Sequence, residues 1–157
     1  RAQHQLLLGD LFVLEASRVP ISTRRPRKAV KQLAQRGVLL ERAQDHFVTA
    51  ISSEEPRWMQ AATLHLGIAL LSMAVEMKKL EELLDTHQLR GSRSDLDHLQ
   101  RWLATRRPAM ARKAFESLQL CLDVLTEAGV QTTFSSSCRD DIDEFPMDLL
   151  IGPNPPP

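Results

Sequence analysis

The sequence predicts an all-α protein: a bundle, or a stack of helical hairpins, of about five helices around a central apolar helix, followed by a disordered C-terminal tail. Three observations predict it. Apolar residues recur at three- and four-residue spacing through most of the first 130 positions, the period of a helix face. Aromatic residues make up only 4% of the chain and Tyr is absent, whereas sandwiches and barrels draw on aromatic and β-branched residues. From Gln131 onward the periodicity stops, and Thr, Ser, Asp and Pro take over. The boundaries that follow are a helical domain over 1–130 and an acidic, proline-ending tail over 131–157.

The first helix runs from about Ala2 to Ser17, with Leu6, Leu7, Leu8, Leu11, Phe12 and Leu14 on a broad apolar face. Pro20 and the run Ser22-Thr23-Arg24-Arg25-Pro26 end it. Pro26 suits the first position of a second helix, because its missing N–H would be unpaired there anyway. Val30, Leu33, Leu40, Ala43, Phe47 and Ile51 then share one face, with Gly37 as a point of break or kink. Ser52 and Glu55 fit a capping box for the third helix. No charge occurs between Trp58 and Val75, so this helix is apolar nearly all round and is expected at the centre.

That run approaches the length of a membrane span. Its Gln60, Thr63, His65 and Ser72, and its passage into the amphipathic Glu76–Leu84, mark instead a core helix without a membrane span. A loop through Gly91 leads to a helix opened by Ser94-Asp95-Leu96-Asp97, which Pro108 breaks or restarts. Ala109–Ala128 continues to Gly129, a helix stop. The tail is expected to be disordered, since its composition offers too little apolar burial to offset the entropy of ordering.

The formal net charge is zero, but it is unevenly placed. The tail holds five acids against Arg139, which leaves the tail at −4 and the body at +4. Arg18, Arg24, Arg25, Arg27, Lys28, Lys31 and Arg36 form a stretch without an acid. Such a patch suits an acidic protein or a nucleic acid, and its plainer reading is a solvated face. Cys121 reads as a small core residue and Cys138 as a free thiol, so a reducing, intracellular compartment (cytoplasm or nucleus) is expected. The chain begins at Arg1 rather than Met, which makes a piece of a longer protein the expectation.

Ala43, Phe47 and Ala50, followed by Pro56, are similar to the second-helix signature of a tetratricopeptide repeat. Leu66-Gly67 falls near where the next repeat would carry its Leu-Gly pair. Pro56 stands one residue late, Leu70 replaces the expected aromatic, and no second copy follows at the family's period. The resemblance covers about residues 38–70 and implies a protein-binding scaffold rather than an enzyme. Asp95-Leu96 through Arg107-Pro108-Ala109-Met110 looks like part of the C-terminal regulatory region of sterol regulatory element-binding transcription factors. That resemblance implies a role in regulating transcription.

Candidate chemistry is sparse. The five histidines show no metal-helix spacing, and no cofactor is expected. His65 reads as a hydrogen-bonded core histidine. Arg93 and His98 have the spacing of a nuclease motif found in some small helical domains, which makes a small helical ribonuclease the remote alternative. Met73 and Met77, one turn apart, could line a groove for a partner helix. Trp58 and Trp102 are anchors for an interface rim or for the ends of the bundle. In the tail, acids alternate with Ile142, Phe145, Met147, Leu149, Leu150 and Ile151, the composition of an acidic–hydrophobic binding segment. It would meet a partner or fold back on its own domain. The function expected is a protein–protein interaction module, with a fragment of a transcriptional regulator as the alternative.

Overall fold

A computed structural model describes residues 1–129 and 131–152. Among them are five helices: α1 (Ala2–Arg18), α2 (Pro26–Ile51), α3 (Pro56–Asp85), α4 (Arg93–Ala128) and α5 (Ser135–Asp143). A 3-10 turn at Met147–Leu150 follows α5. The all-α prediction is met, and α3 is the central element: α1, α2, α4, α5 and the 3-10 turn all pack on it.

Local chemistry sets most of the ends. Pro26 and Pro56 each stand in the first turn of their helices. Ser92, rather than Ser94, caps α4, its hydroxyl accepting from the Asp95 N–H at 3.1 Å. Gly129 closes α4 with φ 61°, the left-handed conformation that favours glycine. The capping box expected at Ser52 and Glu55 is absent. Ser52 closes α2 instead, and its hydroxyl donates to the Val48 carbonyl. Pro108 neither breaks nor restarts a helix, because α4 runs through it for 36 residues. Its ring removes one ladder hydrogen bond, a loss that packing along both halves of α4 offsets.

α3 is long and apolar enough to cross a membrane, and 61% of its most apolar window is buried inside the protein. Two clusters of buried side chains engage α3, while its Ile68 stays exposed. One joins Leu6, Phe47, Leu64, Leu66 and Leu70 to Leu118 and to Phe145 and Leu149 of the C-terminal segment. The other joins Ala16, Leu33, Leu40, Met73, Met77 and Leu80 to Leu99 and Leu103. Ala43, Phe47 and Ala50 are fully buried.

Two glycines at helix interiors behave in opposite ways. A Cβ at Gly67 would lie 2.6 Å from Leu118 Cγ and 3.3 Å from the Ala114 carbonyl, so Gly67 is where α3 and α4 touch. A Cβ at Gly37 would meet nothing within 4 Å. Gly67→Ala is therefore expected to destabilise the protein by about 1–3 kcal/mol through overpacking. Gly37→Ala should stabilise it by up to about 1 kcal/mol through helix propensity. Urea denaturation of the two variants measures both.

Residues 131–152 differ from the expected disordered tail. α5 and the 3-10 turn lie along α3 and α4, and Cys138, Phe145 and Leu149 are buried. The reason lies in tertiary anchors that composition cannot reveal. Residues 153–157 of the tail fall outside the described residues.

Candidate functional site

α2 and α4 flank α3 and splay apart along one side. Between them is a groove of about 430 Å³. Its α2 wall carries Leu33, Gly37, Leu40 and Gln44, and its α4 wall carries Trp102, Arg106, Ala109 and Lys113. The lining spans eleven residues on each helix, three turns or about 16 Å at the helical rise, with Leu33 and Leu40 buried beneath the exposed Val38 and Glu41. The floor is Leu70, Met73 and Met77 from α3, with Met110 beside them. Gly37 opens the α2 wall by offering no side chain.

Met73 and Met77 thus lie where a partner groove was expected, but as its floor. Met77 is 1% exposed. A charge there would break the core before it could probe a surface. The rim carries the charges: Arg106 and Lys113 on α4, and Glu41 on α2. Arg106 stacks on the Trp102 ring at 4.8 Å, which fixes Trp102 as an apolar wall. Trp58 is not part of this groove. It sits at the start of α3 with Arg57 over its ring and packs on the other cluster.

The C-terminal segment forms a second candidate region, a strap across α3 and α4. Phe145 packs edge-on against Phe115, with centroids 5.1 Å apart, and Leu149 is 1% exposed. Met147 and Ile151 face solvent, and Leu150 is half-buried. Arg107, 4% exposed, donates to the carbonyls of Leu149 and Ile151 and pairs through Nε with Glu81 at 2.7 Å. Lys78 pairs with Asp148 on the strap. Burial pushes the Glu81 carboxyl above its usual range, against the pull of Arg107, and one of its oxygens has no hydrogen-bond partner. Burial also raises Asp141 on α5, helped by repulsion from Asp140 and Glu144.

Cys138 is not a free thiol. It forms a disulfide with Cys121 of α4, with the Cα atoms 5.8 Å apart, the separation such a bond requires. Gln60 reinforces this corner through the Cys121 carbonyl and the Thr132 hydroxyl. Cys138→Ser is expected to lower stability by about 3 kcal/mol under oxidising conditions, the value for a loop of this length. Under a thiol reductant the variant and the parent should unfold alike in urea.

The basic stretch is partly neutralised. Arg36 is tied to Glu76 and to the Val19 carbonyl, and Arg27 is paired with Asp95 at 3.0 Å. Arg18, Arg24, Arg25, Lys28 and Lys31 remain exposed. Arg27 and Lys31 share a shallow pocket with His98 and Arg101, so two separate sequence features meet at this end of the bundle. Arg93 does not join them. Residues five apart on a helix point about 140° from each other, and of Arg93 and His98 only His98 lines this pocket.

His65 is hydrogen-bonded to Asp10 at 2.8 Å, and His46 to Gln5 at 2.7 Å. Among the described residues no three His, Cys, Asp or Glu side chains group as metal ligands.

Sequence reasoning found the groove floor but missed its walls. The period of a helix face is common to every helix, so nothing in the sequence pairs α2 with α4 across the groove. It missed Arg107 and Lys78, which nothing local distinguishes from their charged neighbours. Set against known protein families, curated proteins and solved structures, the chain matches none of them.

Proposed function

We propose that this protein is a helical protein-interaction module, and that its α2–α4 groove takes an amphipathic helix from a partner protein. The observation that carries this reading is a groove three turns long between two helices, over an apolar floor that includes Met73 and Met77. An amphipathic helix seats its i, i+3/i+4 and i+7 side chains in such a groove, and methionine adapts its shape to what enters. The rim sets polarity. Acids on the partner helix would face Arg106 and Lys113, and a cation would face Glu41. Under this reading α3 is a core helix, its apolar surface serving the two clusters rather than a lipid phase.

The test is selection from a displayed library of three-turn amphipathic helices against the intact protein. Selected helices are expected to be acid-rich along the edge facing α4. Gly37→Leu fills the opening in the α2 wall without disturbing the core, and should weaken their binding at least tenfold while leaving the protein folded. The pair Arg106→Glu and Lys113→Glu should shift selection toward basic helices. Helices that bind the Gly37→Leu protein as well as the parent would show that the groove is not the docking site.

A further inference from the structure

The strap is held in the manner of a bound peptide. Its own helix is weak: α5 has nine residues, below the length at which an isolated helix persists. Its acids Asp140, Asp141 and Asp143 crowd toward the C-terminal end, where the helix dipole disfavours negative charge. The surface beneath therefore imposes the strap's conformation. That surface reads it by three means. Apolar contacts bury Phe145 and Leu149, four residues apart. Lys78 reads the acid Asp148 just before the leucine. Arg107, oriented by Glu81, grips main-chain carbonyls rather than side chains.

We infer that the α3–α4 face bearing Lys78, Glu81, Arg107 and Phe115 is a second binding site, for acidic peptides with an aromatic and a leucine four residues apart and an acid preceding the leucine. Residues 145–151 are its in-cis occupant. A partner segment of the same chemistry displaces them, and the Cys121–Cys138 disulfide latches the resident copy in place. A dithiol reductant opens the latch by giving two electrons and two protons to the protein disulfide. It leaves two thiols on Cys121 and Cys138 and is itself oxidised to a disulfide. Loss of this crosslink frees α5, from which the strap extends, and so raises the open population. This site is separate from the α2–α4 groove and stands whether or not that groove binds a helix.

The probe is a fluorescent peptide with the sequence of residues 143–152, titrated by anisotropy against the full chain. The unmodified oxidised chain should bind it at least tenfold more weakly than the full chain carrying Phe145→Asp and Leu149→Asp, in which the resident copy cannot dock. Reduction should strengthen binding to the unmodified chain. Lys78→Glu in the double variant should weaken binding several-fold, and a peptide with Asp148→Lys should restore it. A folded double variant that binds no peptide overturns the inference, and so does a double variant that loses its helical circular dichroism. A milder measurement needs neither change. Lys78→Glu in the otherwise unmodified, oxidised chain should speed amide hydrogen exchange over residues 145–151 at least threefold with the rest of the body unchanged. Unaltered exchange there contradicts a docked ligand.

Discussion

Arg107→Ala is expected to destabilise the protein by about 3–5 kcal/mol, the range for removing one partner of a buried ion pair. Arg107 is nearly fully buried, and it is the main counter-charge for Glu81. Without it, a carboxylate already short of one hydrogen-bond partner is left facing the core. The carbonyls of Leu149 and Ile151 lose their donor in the same step. The pH dependence has a definite sign. Burial raises the Glu81 pKa in the folded protein, so the folded state holds that proton more tightly than the unfolded chain. Stability therefore falls as pH rises from the ordinary carboxylate value through the raised one. Removing Arg107 raises the pKa further, so the deficit of Arg107→Ala should be greatest at neutral pH and shrink on acidification. Adding Glu81→Gln should recover part of it at pH 7. Urea denaturation of the single and double variants at two pH values measures all of this, and a deficit independent of pH would refute the role given to Glu81.

Phe47→Ala is expected to cost about 3–5 kcal/mol through the lost transfer energy and the cavity left behind. The ring is fully buried, lies edge-on to His65, and fills the space that Gly9 of α1 leaves open. A Cβ at Gly9 would stand 2.5 Å from that ring. Gly9→Ala should thus be harmful in the parent and neutral or helpful in Phe47→Ala. Such non-additivity is the mark of two side chains sharing one space. Strict additivity in denaturation would mean that α1 does not seat on Phe47.

The parts of this fold that were legible in the sequence are those set within a few residues. Pro26, Pro56 and Gly129 punctuate helices by backbone chemistry that acts locally. The uncharged run from Trp58 to Val75 identified the central helix, although Ile68 and Ser72 on it face solvent. What was not legible depends on distant partners. Pro108 usually interrupts a helix, and only packing on α3 carries α4 through it. The segment around Cys138 reads as polar coil, until Cys121, Phe115 and Arg107 are brought alongside. Arg36 belonged to a basic patch by sequence and is tied to Glu76 in the fold. Met73 and Met77 were placed correctly on one face, but only the splay of α2 from α4 reveals that face as a groove floor.

Docking of a helix in the α2–α4 groove, as proposed, has a direct readout in the methionines. The chain has five. Met73, Met77 and Met110 line the groove, while Met59 and Met147 lie outside it and serve as internal controls. With the methionine methyls labelled with carbon-13, a selected amphipathic helix should shift the resonances of Met73, Met77 and Met110 and leave those of Met59 and Met147 in place. Shifts at Met59 or Met147 with the other three unmoved would show that the helix binds elsewhere.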